Sequence, residues 1–288
     1  MFNIKNMGQI TFFQSGLGQK QSGIEQTVME VYNYYYRVFP EIRTQMKFIP
    51  NSSNLKKNLL NLYEENCRVL TTANININIG GDHSMALSSI SACLNMFGTK
   101  TKVIWIDSYT KINSNINSSD NLNKMPLSFL TKLNDSNNYE WIKNKLKFEN
   151  LCLIGIREFE PDEINIIKTF NIKTININQF NTNIIQVLKD LILWAGVAPI
   201  HISLNINSLD SKFIQCINLD SDEKTSGKIE IEPLIKFINT FCKFTNVLNV
   251  DIAELNLNNP DCGCVNKCEK TKSFEYFNKI LKSFCLNM

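Results

Sequence analysis

The stretch Gly80-Gly81-Asp82-His83-Ser84 joins two segments of different periodicity. Before it, residues 74–79 alternate Asn and Ile with a period of two, which predicts a β-strand. After it, the apolar residues from Met85 onward favour a helix. A Gly-Gly pair at this junction allows a sharp turn and places an Asp and a His beyond the carboxyl end of the strand. In parallel α/β proteins, binding and catalytic residues collect in that crevice.

The same alternation of strand and helix continues along the chain. Strand candidates are 8–13, 74–79, 102–107, 151–156, 173–177, 200–206 and 246–252. Helix candidates are 24–38, 55–69, 84–96, 138–147, 161–169, 183–194, 231–242 and 272–286. Loops are predicted at 112–124, 134–138 and 217–228. Since several strands are apolar on both faces, the pattern predicts an α/β protein with one domain over 1–288, in which helices cover both sides of a parallel sheet.

Length and composition exclude several classes of protein. The chain has 288 residues, which is enough for a large α/β core, and its formal net charge of +3 indicates neither a nucleic-acid nor a membrane-surface partner. No apolar run reaches the length of a membrane span, and the N-terminus lacks a signal-peptide pattern, so a cytoplasmic location is expected. The nine cysteines are an odd number, which argues against a disulfide framework.

Six blocks of sequence carry a family resemblance. In chain order they are a glycine-rich turn at 18–25, the Gly80–Ser84 motif, and the segments 103–113, 155–161, 203–210 and 251–256. Over about residues 8–257 they resemble the arginase (ureohydrolase) family. The resemblance implies a three-layer arginase-like fold with about eight parallel strands between helices. It also implies an active site with two Mn²⁺ ions and a bridging hydroxide that attacks a guanidinium carbon.

The positions that match the family's metal ligands have mostly changed residue type. The family uses one His from the first motif, Asp, His and Asp from the second, and two Asp from the third. The resemblance places these ligands on His83, Asp107, Tyr109, Lys111, Asn205 and Asn207. An ammonium cannot coordinate a cation, a neutral phenol is a poor ligand, and an Asn carbonyl carries no charge. We therefore expect no bound manganese and no other cofactor, with an ion pair between Lys111 and Asp107 in place of the metal.

The remaining positions of the family's active site are also altered. The position of the proton-shuttling His falls on Asn123, which cannot act as a general acid or base, so no catalytic residue is expected. The resemblance places substrate-binding residues on Asn113, Glu158, Glu160 and Glu254. The three acids among them either still receive a guanidinium or amino group, or persist only because the fold needs them.

Four further side chains have structural interpretations. Asp82 and Asp210 are predicted to hold loops by hydrogen bonding. His201 lies at a strand start, far in register from the ligand positions, and is predicted to be structural. Cys262 and Cys264, with Cys268, lie outside the resemblance. Because no second Cys pair or His accompanies them, a redox-active or mobile surface loop is favoured over a zinc site.

Three classes of function follow from these residues. The first is an arginase-fold pseudoenzyme that acts as a regulatory or structural subunit, in a trimer-like homo-oligomer or together with an active homologue. The second is a non-catalytic binder of arginine or a related guanidino or amino compound. The third is residual ureohydrolase activity. The bias toward Asn, about one residue in seven, offers one route by which Asp ligands are lost.

Overall fold

The computed structural model describes residues 8–19, 21–72, 75–112, 122–135, 138–217, 227–259 and 267–286. In these ranges the strands are β1 (Gln9–Phe13), β2 (Met46–Ile49), β3 (Asn76–Gly80), β4 (Lys102–Ile106), β5 (Leu151–Ile154), β6 (Lys173–Ile175), β7 (Pro199–Asn205) and β8 (Asn246–Ala253). The α-helices are α1 (Ile24–Val38), α2 (Leu55–Leu70), α3 (Ala86–Phe97), α4 (Pro126–Leu130), α5 (Pro161–Thr169), α6 (Ile177–Thr182), α7 (Ile184–Ala195), α8 (Ile231–Phe244) and α9 (Lys267–Cys285).

The strands form one eight-stranded parallel sheet in the order β2-β1-β3-β8-β7-β4-β5-β6. Successive side chains of a strand point to opposite faces, so each face has its own core. On one face, Ile104 and Ile106 of β4 belong to a cluster with residues of α1, α7, α8 and α9. On the other face, Val103 and Trp105 belong to a cluster with residues of α2, α3 and α4. The predicted three-layer fold is confirmed.

The second face of the sheet also contains a set of buried polar side chains, which we call the polar belt. Its members come from three neighbouring strands and from the two helices that cover them, and each is fully buried. They are Asn66, Asn76, Asn78, Ser89, His201, Ser203, Asn249 and Asp251. The central strands are therefore not apolar on both faces, in contrast to β4 and β5.

Three parts of the secondary structure differ from the prediction. The edge strand β2 was not predicted, and α4 and α6 are additional short helices. The helix predicted at 138–147 is wrong, because the described part of this segment is irregular. Its backbone bonds to other elements instead: Leu146 N donates to the Leu130 carbonyl (2.9 Å), and Asn144 N donates to Asn95 Oδ1 (3.2 Å). No helix within the described ranges is long and apolar enough to cross a membrane.

Candidate functional site

The candidate site lies where four adjacent strands end. His83 follows β3, Glu254 follows β8, Asn205 ends β7 and Asp107 follows β4. The order β3-β8-β7-β4 makes these strands neighbours in the centre of the sheet. Because all four strands run in the same direction, their carboxyl ends bring the four side chains together, as is typical of open α/β sheets.

The Gly-Gly turn after β3 exists because the backbone passes close to its neighbour. A Cβ atom at Gly81 would lie 1.8 Å from the Ser15 carbonyl oxygen, so no larger residue fits there. The Asp82 carboxylate fixes the turn by accepting hydrogen bonds from the backbone N–H groups of Gly18 and Ser84, both at 2.9 Å. The turn thereby places His83 directly over the end of the sheet, and Asp82 holds a loop as predicted.

The His83 imidazole has partners on both of its nitrogens. Its Nδ1 lies 3.0 Å from Asp107 Oδ2, and its Nε2 lies 2.8 Å from Ser203 Oγ. The ring stacks on the Trp105 indole with centroids 4.0 Å apart. A carboxylate only accepts hydrogen bonds, so Nδ1 donates to Asp107. His83 is thus held entirely by side chains of the protein.

Asn205 completes the surroundings of Asp107. Its Nδ2 donates to Asp107 Oδ2 (3.1 Å), while the backbone N–H of Tyr109 donates to Asp107 Oδ1 (3.2 Å). The Oδ1 of Asn205 in turn accepts from the backbone N–H of Asn207 (3.0 Å). All of these residues except Tyr109 are buried. An amide at position 205 therefore donates a hydrogen bond where a carboxylate would place a second negative charge.

Among the contacts of the described residues, the hydrogen bonds to Asp107 do not include the predicted pairing with Lys111, which stays a prediction. They come from His83, Asn205 and Tyr109. Lys111 has a left-handed backbone (φ 52°) and is buried, with its Nζ 5.2 Å from the centroid of the Tyr109 ring. The donors on neighbouring strand ends occupy Asp107, whereas Lys111 comes after a further turn.

Glu254 is fixed in an unusual backbone conformation. Its φ of 72° is left-handed, a region that non-glycine residues seldom adopt. Two hydrogen bonds hold it: the Glu254 N–H donates to the Gly81 carbonyl, and Glu254 Oε1 accepts from the His83 N–H, both at 2.9 Å. Such strain is commonly found at functional positions, and here the buried carboxylate is attached to the turn that carries His83.

The other predicted site residues are more dispersed. Glu158 and Glu160 are exposed; Glu158 pairs with Arg157 (3.3 Å), and Glu160 caps α5. Asn123 is buried, and its N–H donates to the Gly18 carbonyl (3.0 Å). The predictions for Asn113, Cys262 and Cys264 concern positions outside the described residues, while Cys268 is exposed at the start of α9.

Sequence reasoning missed the connection of His201 to this site. His201 Nε2 lies 2.9 Å from Asp251 Oδ2, and the same oxygen accepts a hydrogen bond from Ser203 (3.2 Å), which contacts His83. His201 is therefore not remote from the ligand positions, contrary to the prediction. The spacing could have indicated this, because residues 201, 203 and 205 alternate along one strand and share a face.

The carboxyl group of Glu163 gives a pH-dependent prediction. Burial raises its pKa, although a hydrogen bond from Thr110 and the charge of Lys111 oppose the increase. An acid whose pKa is raised on folding stabilises the folded state less as pH increases from the unfolded value of about 4.3 through the folded value. The Glu163→Gln variant should therefore gain stability relative to wild type between about pH 4 and pH 7. Urea titrations across this range measure the free energy of unfolding of both proteins. If that free energy depended on pH in the same way for wild type and Glu163→Gln, the expectation would be contradicted.

The residues present do not fit a pair of manganese ions. His83 and Asp107 are engaged with each other and with neutral donors, and the described residues contain no group of three or more His, Cys, Asp or Glu that could hold a metal. The buried Asn207 Oδ1 has no hydrogen-bond partner among the described residues, but it is a neutral oxygen. Hard dications require several anionic or imidazole ligands, which this set does not supply.

An eight-stranded parallel sheet with buried polar side chains at the ends of its central strands defines a class of α/β proteins. A model of the Arginase family matches residues 19–260. The chain belongs to this family. It is 27% identical to human arginase-1 over 218 residues, which cover 72% of this chain and 66% of the human protein. It is 32% identical to rabbit arginase-1 over 149 residues, which cover 48% of this chain and 46% of the rabbit protein.

Solved structures agree on the fold. Entamoeba histolytica arginase, in complex with L-ornithine, superposes with a TM-score of 0.81 at 20% identity, covering 97% of this chain and 98% of that one. A putative agmatinase from Clostridium difficile gives a TM-score of 0.72 at 17% identity, covering 99% and 98%. By sequence, the matched region spans about two thirds or less of the human and rabbit relatives.

Proposed function

We propose that this protein is an arginase-fold pseudoenzyme that lacks a competent binuclear manganese site and acts as a regulatory or structural subunit. The observation that carries the proposal is the hydrogen bond from Asn205 to Asp107, which links two former ligand positions without a metal. Four of the six ligand types are lost, at Tyr109, Lys111, Asn205 and Asn207. Their side chains supply no negative charge to offset a dication.

The electrostatics support a state without metal. His83 and Asn205 both donate to Asp107 Oδ2, so the carboxylate is satisfied by hydrogen bonds. A Mn²⁺ ion bound to Asp107 would have to displace these donors.

Elemental analysis and a urea assay test the proposal. The purified protein, incubated with Mn²⁺ and then desalted, should contain far less than one Mn per chain and should release no urea from arginine. An active arginase treated in parallel is the control. Close to two Mn per chain, or urea release that a chelator abolishes, would overturn the proposal and favour residual ureohydrolase activity.

A regulatory or structural subunit must assemble with other chains, and the proposed location of this assembly is the cytoplasm. We propose a trimer-like homo-oligomer, or a mixed oligomer with an active homologue, with neither nucleic acid nor membrane as a partner. Light scattering of the protein alone, and of the protein co-purified with an active homologue, distinguishes these assemblies. In a mixed oligomer, a change in the homologue's urea release would demonstrate regulation.

A second candidate function is binding of arginine or a related guanidino or amino compound. The observation in its favour is Glu254, a buried carboxylate kept in a left-handed conformation at the mouth of the sheet. Thermal-shift measurements with arginine, agmatine and ornithine test this function, because a ligand that binds only the folded state raises the melting temperature. A saturable increase in melting temperature that the Glu254→Gln substitution abolishes would show that the protein binds this ligand and is not only a structural subunit.

A further inference from the structure

Four asparagines form a buried cluster beneath the strand-end site. Asn66 comes from α2, Asn76 and Asn78 from β3, and Asn249 from β8, and each is fully buried. We call this set the asparagine cluster. Asn66 Oδ1 accepts from the Nδ2 groups of Asn76 (3.0 Å), Asn78 (3.0 Å) and Asn249 (2.9 Å). Asn249 Oδ1 lies within hydrogen-bond distance of Asn76 Nδ2 (2.9 Å) and Asn78 Nδ2 (3.1 Å), whose two N–H groups are shared among these neighbours.

The amides depend on one another because they are removed from water. A buried polar group without a partner costs about 1–3 kcal/mol, so such a cluster is tolerated only when it is fully paired. The outer atoms find partners in the surrounding backbone and side chains. Asn66 Nδ2 donates to the Leu62 carbonyl (2.9 Å), Asn249 Nδ2 to the Ser89 carbonyl (3.2 Å), and Thr11 Oγ1 donates to Asn76 Oδ1 (3.3 Å). Loss of one member would leave atoms of the other three unpaired.

The asparagine cluster continues into the Asp251 carboxylate. Asn78 Nδ2 donates to Asp251 Oδ1 (2.9 Å). The other oxygen, Oδ2, lies within hydrogen-bond distance of Ser89 Oγ (2.6 Å), His201 Nε2 (2.9 Å) and Ser203 Oγ (3.2 Å). Asp251 is fully buried, and its carboxylate can remain there only because these donors replace its water shell. The orientation of the carboxylate therefore depends on Asn78 at one oxygen and on three donors at the other.

We infer that the asparagine cluster acts as one cooperative unit that positions the Asp251 carboxylate and, through it, the His201 imidazole and the Ser203 hydroxyl. Within the described residues, the Asn66 side chain bonds only to the rest of the cluster and to the Leu62 carbonyl. The hydrogen-bonded route from Asn66 to His201 therefore passes through the other amides. This inference does not depend on whether the site above it binds a metal or a ligand.

A pair of matched variants in α2 tests this inference. Asn66 and Asn58 are both fully buried, but Asn58 bonds to Asn51 and Ser52 at the helix start. The chain contains two histidines, so nitrogen-15 labelling of histidine gives spectra with two imidazoles. Asn66→Leu should shift the ring resonances of His201, assigned with a His201→Gln variant, and Asn58→Leu should leave them in place. Unmoved His201 resonances in Asn66→Leu, or equal shifts in both variants, would overturn the inference.

Hydrogen exchange on the wild-type protein gives a test that requires no folded variant. If the four amides open as a unit, their Nδ2 protons should exchange at similar rates, with protection equal to that of the central sheet backbone. Exchange of the Asn66 side-chain protons more than about tenfold faster than those of Asn78 would show that Asn66 opens alone. That result would contradict the proposed cooperativity even if Asn66→Leu failed to fold.

Discussion

The Asn205→Asp variant should lose on the order of 3–5 kcal/mol of folding free energy at pH 7 in the presence of a chelator. The substitution changes one atom type and almost no volume. It replaces the Nδ2 donor, 3.1 Å from Asp107 Oδ2, with an oxygen that shares negative charge. Both residues are fully buried, so bulk water would screen the two carboxylates much less than it does at the surface. Like charges in such a site strongly oppose each other's ionisation.

Urea titration of wild type and Asn205→Asp measures this loss. The same chemical change at Asn176, the exposed N-cap of α6, is the control and should alter stability by less than about 0.5 kcal/mol. The penalty at position 205 should decrease in acid, because protonation of one carboxylate relieves the repulsion. If Asn205→Asp were as stable as wild type at neutral pH with a chelator present, the protein would not be adapted to a state without metal.

Restoration of manganese binding should require several substitutions together. The full set restores the family's residue types at each altered ligand position and at the proton-shuttle position. It consists of Tyr109→His, Lys111→Asp, Asn123→His, Asn205→Asp and Asn207→Asp. Residues that act on one metal centre are strongly non-additive. We therefore expect no urea release above background from any single variant, and measurable release from the full set with Mn²⁺.

The five single variants and the combined variant should be compared for manganese content by elemental analysis and for urea release. The combined variant without Asn123→His is an informative control, because it should bind metal yet hydrolyse slowly without its proton shuttle. Urea release from any single variant at a rate comparable to that of the combined variant would contradict the expectation. It would mean that the existing residues already form most of a working centre.

The strand ends were predictable because their sequence signals are local. The Gly80–Ser84 motif follows an alternating strand, Asp107 follows the apolar strand β4, and Asn205 ends β7. In a parallel sheet these ends must lie on the same edge, so the grouping of the site residues follows from topology. The sequence was therefore sufficient to predict the fold and the position of the site.

The pairings within the site were not predictable from sequence spacing. Lys111 lies four residues after Asp107, which suggested an ion pair, but the hydrogen bonds that Asp107 accepts come from His83, Asn205 and the backbone of Tyr109. Strand β2 was missed because it is a four-residue edge strand with little alternation. The segment 138–147 has helix-compatible composition, yet its backbone bonds to α3 and α4. In each case long-range contacts outweighed local preference.

The unequal faces of the sheet protect the chain against misalignment. A slip of β3 by one residue relative to β8 would move Asn76 and Asn78 into the apolar layer and Ile77 and Ile79 among the amides. Each buried amide without a hydrogen-bond partner would then cost about 1–3 kcal/mol, and the isoleucines would lose their packing as well. A purely apolar strand would tolerate such a slip far better. Incorrect alignments of the central strands are thus disfavoured in the folded protein, where helices cover both faces of the sheet.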